Sequence, residues 1–184
     1  VFLPENVMHT QEQPEQPVRK RPNSEQKRGA QAWENILSVK ELDRQITQKK
    51  VKDEKDVEKK KKIEAEKKLE KEYRSLARGL NAMIQINGLG QTLGFLKAKG
   101  KSQEQKPHYL LLLHLTSWMQ DPEHFYAENS DIMNAGYDGL LHWILDPHTG
   151  SDDYRRATTE CLAFGVWLRR FAEAELKEPE PGES

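Results

Sequence analysis

The sequence predicts an all-α fold, a compact bundle of about five helices behind a disordered N-terminal tail. Three observations carry that expectation. Over residues 25–48, and again from residue 73, apolar side chains recur every three or four positions, which keeps them on one face of a helix. No stretch alternates apolar and polar residues as a half-buried strand would. The periodic segments are separated by helix-ending signals, Lys99-Gly100, Asp121-Pro122 and the approach to Pro147.

Residues 1–24 hold Pro4, Pro14, Pro17 and Pro22 among glutamines and glutamates, with too little apolar surface to offset chain entropy. They read as a disordered tail, and the domain as residues 25–178. Residues 25–48 place Trp33, Ile36, Leu37, Val39, Leu42 and Ile46 on one stripe, the first helix. Residues 49–72 mix eleven lysines with eight acids, several at the supportive i,i+4 spacing, and read as a charged helix or connector rather than a nucleic-acid clamp. Their Val51, Val57 and Ile63 fall six apart, which suits no coiled coil.

A second helix is expected from Tyr73 to Lys99. "PHYLLLLHLTSWMQ", residues 107–120, opens on a proline suited to a first helical turn and is apolar almost all round, so it should be the central buried helix. Residues 130–145 and 151–176 complete the bundle, and residues 179–184 are expected to be a second disordered tail.

Several functions are excluded or disfavoured by composition and spacing. Cys161 is the single cysteine, so no internal disulfide framework exists, and its helical phase puts it in the core rather than at a reactive surface. The six histidines contain no i,i+4 pair, so neither a metal nor another cofactor is expected. Asp152 and Asp153 stand at a helix start, where capping and the helix dipole explain them. No apolar run suits a signal peptide or a membrane span, which leads to the expectation of a cytoplasmic protein without membrane partners. Gly88, Gly90 and Gly94 in "NGLGQTLGFLKAKGK" do not make a dinucleotide loop, because the third glycine is one place late and no strand precedes them.

Charge points elsewhere. The net charge is -1, but residues 73–106 carry Arg74, Arg78, Lys97, Lys99, Lys101 and Lys106 against Glu104 alone. Residues 107–150 carry six acids and no Lys or Arg. A basic zone beside an acidic one suits a protein that holds a polyanion on one side and a protein on the other. In the last helix Arg155, Arg156, Arg169 and Arg170 fall within about 140° opposite the core arc, two pairs about 21 Å apart. Such a row can grip phosphates or pair with neighbouring acids such as Glu173. On a continuous second helix, Asn87, Gly90, Gln91, Gly94, Lys97 and Lys101 share a stripe of small, amide and basic residues. Such a face admits close approach of a nucleic-acid backbone or a partner helix, or tight packing within the domain itself.

"NGLGQTLGFLKAKGK" followed some fifty residues later by "YRRATTECLAFGVWLRRFAEAEL" closely resembles the small subunit of the Cmr-type (type III-B) CRISPR RNA-guided effector complex. "KRGAQAWENI" fits that family's opening, so the likeness covers residues 27–48 and 73–176, with the lysine-rich stretch 49–72 as a departure. Matching positions include Gly88, Leu89, Gln91, Thr92, Leu93, Phe95, Tyr154, Arg155, Glu160 and Trp167. The resemblance implies a helical bundle without catalytic residues. It also implies copies stacked along larger subunits beside guide and target RNA, in antiviral defence. Its partners would be other Cmr-complex subunits, copies of itself and the two RNAs. The RNA-binding candidates are then Arg74, Arg78, Lys97, Lys99, Lys101, Arg155, Arg156, Arg169 and Arg170. The alternative is a stand-alone helical adaptor that binds only protein.

Overall fold

The computed structural model of the chain describes residues 23–66, 68–122, 125 and 130–178. Among the described residues there are eight helices and no strand. The expected tails lie outside the described residues, except for Asn23 and Ser24, which cap and open the first helix.

Helix α1 (Ser24–Asp53) starts with a reciprocal cap: the Gln26 amide N–H donates to the Asn23 side chain, and the Asn23 N–H donates to the Gln26 side chain, both at 2.8 Å. Its inner face is Ala32, Asn35, Ile36, Val39 and Asp43. Trp33 and Leu37, expected on that stripe, flank it instead and stay about 40% exposed.

The described part of the lysine-rich stretch is helical apart from residues 54–56. It completes α1, forms α2 (Val57–Glu66) and opens α3 (Lys68–Asn87). Between α1 and α2, Glu54 Oε1 accepts the N–H groups of Lys55 and Asp56, and Asp56 Oδ1 accepts that of Glu58. The two amides hold the Glu54 carboxyl below its ordinary range. Nor is the stretch wholly solvated: Leu69 and Glu70 are buried, the Leu69 N–H donates to Asp43 Oδ1 on α1, and the Lys177 N–H donates to Glu70 Oε2.

The expected second helix divides at Gly88 into α3 and α4 (Leu89–Gly100). Gly88 has φ +83°, a conformation that side-chain-bearing residues rarely adopt. Its carbonyl accepts both the N–H and the Oγ1–H of Thr92, restarting the helix in a new direction. The segment 130–145 divides as well, into α6 (Ser130–Met133) and α7 (Gly139–Leu145), around Gly136 at φ +128°. Between them in sequence and space, α5 (Pro107–Gln120) is the central helix that its all-round apolarity predicts, touching α1, α3, α4, α6, α7 and α8.

Helix α8 (Ser151–Glu175) packs along α1 and α3 with Ala157, Cys161, Phe164, Gly165, Leu168 and Ala172. The Phe164 ring stacks on Trp118 of α5 at 4.8 Å. Cys161 is fully buried, and burial pushes its thiol pKa up, away from the reactive thiolate. The capping role expected of Asp152 and Asp153 is not realised: Gly150 is the N-cap, without a side-chain bond, and the two acids sit in the first turn.

Candidate nucleic-acid interface

The predicted cations lie on α3, α4 and α8, and the fold sorts them into distinct settings. Arg74 is turned inward with its side chain 13% exposed, donating to the Leu176 carbonyl at 2.8 Å and pairing with Glu178. Its guanidinium holds the chain that leaves α8. One turn along α3, Arg78 stays half exposed and shares Glu173 with Arg169, each at 3.2 Å. Desolvation works to raise the Glu173 carboxyl, but hydrogen bonds from Arg169 and Arg78 outweigh it and hold the group below its ordinary range.

All four α8 arginines are exposed, as their position opposite the core arc requires. They are not bare. Arg155 pairs with Asp152, Arg156 pairs with Asp153 at 2.9 Å and lies over the Phe125 ring, and Arg170 lies 6.0 Å from the centre of the Trp167 ring. Exposed i,i+3 pairs of this kind are worth at most about 1 kcal/mol, so an incoming phosphate can displace the carboxylate.

The glycine stripe does not survive as one face. Because the helix breaks at Gly88, Asn87 ends α3, and Lys101 lies beyond α4 with φ +50°. The remaining residues part company. Gly90 faces inward: its N–H donates to the Tyr154 hydroxyl at 3.1 Å, and a Cβ there would stand 3.3 Å from Ile144 Cγ2. Gln91 is exposed, and a Cβ on Gly94 would meet nothing within 4 Å. Close approach at Gly90 thus serves packing within the domain, while Gly94 faces open space.

Lys97, next on α4, bonds Asp138, and His142 lies 3.4 Å from the same carboxylate. Burial acts to raise the Asp138 carboxyl, but the Lys97 hydrogen bond and the charges of Lys97 and His142 prevail and lower it. Lys99 and Lys101 are exposed.

One grouping has no signature at helical spacing. Lys50 of α1, Lys68 of α3, Lys99 of α4 and Lys106 at the start of α5 line a single cleft of about 490 Å³, together with His108, Asp43 and Glu72. These lysines are dispersed over 57 residues of sequence, from 50 to 106, and only the fold brings them together. Among the described residues no group of three or more His, Cys, Asp or Glu side chains is gathered as a metal ion would need.

A family model described as CRISPR-associated protein (Cas_Cmr5) matches residues 49–175, more than half of the chain. The chain belongs to the Cas_Cmr5 family. It is therefore a subunit of the Cmr complex in CRISPR defence. The matched span takes in the lysine-rich stretch. Residues 49–72, expected as a departure from the family, fall inside the match, and the first helix up to residue 48 precedes it.

Several positions that carry the likeness of this Cas_Cmr5 protein prove to hold its fold. Gly88 makes the break, Leu89 and Leu93 are fully buried, and Tyr154 receives the Gly90 amide. Glu160 accepts from Arg28 Nε and Nη2 at 2.8 and 2.7 Å and from Trp118 Nε1 at 2.8 Å. Trp167 packs over Gly29 and donates to Glu25. Among the described residues no helix is long and apolar enough to cross a membrane.

Proposed function

We propose that this chain is a non-catalytic small subunit that lines the RNA path of the Cmr complex in the cytoplasm, stacking with copies of itself and with larger subunits beside guide and target RNA. The observation that carries the RNA part is the row of exposed guanidiniums on α8, three of which meet carboxylates of their own helix, along a helix whose other side is core. Guanidinium forks match phosphate oxygens, and four turns of helix span several nucleotides of backbone. Arg78 and Lys101 extend the same chemistry on α3 and beyond α4. Arg74 and Lys97 contribute indirectly, by fixing α8 and α7.

The non-catalytic part is supported by the family, and by the setting of the nucleophilic and titratable interior groups. Cys161 is sealed in the core, and His114 is buried and committed to the Tyr73 hydroxyl at 2.7 Å. Changing Arg155, Arg156, Arg169 and Arg170 together to glutamine in a reconstituted complex tests the reading. RNA affinity should drop, with the log-log salt slope falling by about 0.7 for each phosphate contact removed. Loss of assembly with an unchanged slope would assign the row to a protein interface instead.

A further inference from the structure

We infer that the cleft between α1, α2, α3 and the start of α5 is a second seat for the sugar-phosphate backbone of a single RNA strand, distinct from the α8 arginines. The inference deepens the RNA-binding reading above and rests on it. No residue of α8 lines the cleft, so the two contacts can be separated by mutation.

The lining has two chemical layers. Ile46, Ile63, Leu69 and Pro107 supply apolar wall, on which a ribose or base edge loses little by leaving water. Around it stand Lys50, Lys68, Lys99 and Lys106, one from each of four parts of the chain, the first three exposed and Lys106 partly so. Two acids oppose them. Asp43 is buried and already accepts the Leu69 N–H, and Glu72 is paired loosely with Lys68 at 3.7 Å. Four cations against two carboxylates leave the cleft positive, and a concave positive surface concentrates its field on whatever anion enters.

A further donor is built into the same wall. Lys106 is the N-cap of α5 and Pro107 its first residue, with no side-chain cap, so the positive end of a 14-residue helix opens at the cleft. A divalent cation is repelled by this arrangement. A flat membrane surface does not fit a concavity walled by three helices. A flexible, narrow polyanion whose charges repeat along a backbone does fit, and a volume of about 490 Å³ accommodates one nucleotide with its flanking phosphates.

The test uses the full chain and a fluorescent single-stranded oligouridylate, titrated at several salt concentrations. One variant combines Lys50→Gln, Lys68→Gln, Lys99→Gln and Lys106→Gln; the other carries the four α8 arginine substitutions. Circular dichroism melting checks that both fold, as the exposed positions predict. The inference expects the lysine variant to bind at least tenfold more weakly with a shallower salt slope, and the two sets of changes to add.

If the lysine variant binds like the parent while the arginine variant is impaired, the cleft inference fails and the RNA-binding reading stands. If the parent binds no RNA, alone or in the assembled complex, both fail. Competition distinguishes the ligand's source. Displacement of RNA by inorganic phosphate at equal phosphate concentration would make the cleft a small-anion site, and equal competition by polyglutamate would make it an acidic-peptide site. Either result overturns the assignment to a strand.

Discussion

Helix α8 carries charge on two edges, and the edges behave differently. Toward α1 and α5, Glu160 is 15% exposed and accepts three hydrogen bonds, two from Arg28 and one from Trp118. On the outer edge, Arg155 and Arg169 are 74% and 54% exposed and meet carboxylates three or four residues away on the same helix. The first arrangement joins three helices. The second runs mainly along one helix, with Glu173 alone also meeting Arg78 of α3, so it adds little to the fold and leaves its charges available. Pairing on one helix marks a replaceable partner, whereas pairing across helices marks a structural one.

The largest expected effect comes from breaking the inner arrangement. Glu160→Ala removes the acceptor of Trp118 Nε1 and leaves the largely buried Arg28 guanidinium with its exposed partner Glu25, and should cost about 3 kcal/mol, read as a lower urea midpoint at unchanged slope. A loss below about 0.5 kcal/mol would erase the distinction between the two edges.

Gly90 and Gly94 repeat the comparison on α4. Gly90→Leu should destabilise the isolated subunit by about 1 to 3 kcal/mol, because its side chain must enter the contact with Ile144 and Tyr154. Gly94→Ala should raise stability by about 0.5 to 1 kcal/mol, since the added methyl meets nothing and the unfolded chain loses freedom. Thermal melting of the two variants side by side reads both signs.

The interior polar pair sharpens the contrast through pH. Burial lowers the His114 pKa from 6.5 to about 3, so the folded protein keeps the imidazole neutral where the unfolded chain protonates it. Below pH 6.5 the unfolded state binds more protons, and stability is lost as pH falls toward 3, by up to about 1.4 kcal/mol per pH unit. Replacing His114 by Gln should flatten that part of the curve in chemical denaturation at pH 7, 6 and 5. The smallest effect belongs to the outer edge: each α8 Arg→Gln change should shift stability by no more than about 0.5 kcal/mol.

What could be read in the sequence followed from local rules. The core phase of α8 and the burial of α5 come from periodicity, which needs no knowledge of neighbours. The break at Gly88 was hidden because glycine tolerates both a helix and a positive φ, and the surrounding spacing is helical on both sides. The inward fate of Arg74 and Glu70 was equally hidden, since nothing local distinguishes them from the charges beside them. Their partners, Leu176 and Lys177, lie more than a hundred residues away. The cleft escaped for the same reason, its four lysines sharing no helix face.

The closure of α8 onto α1 and α3 also has a meaning in time. Those contacts pair the earliest and latest parts of the domain, and the latch is completed only when Leu176 and Lys177 reach Arg74 and Glu70. On a ribosome adding some 5 to 20 residues per second, the apolar faces of α1 and α3 stand uncovered for roughly five seconds or more before α8 exists to cover them. The early helices must therefore remain soluble as an incomplete chain. The dense interleaving of lysine and acid from residue 49 to 72, emerging between them, supplies the hydration that such a wait demands.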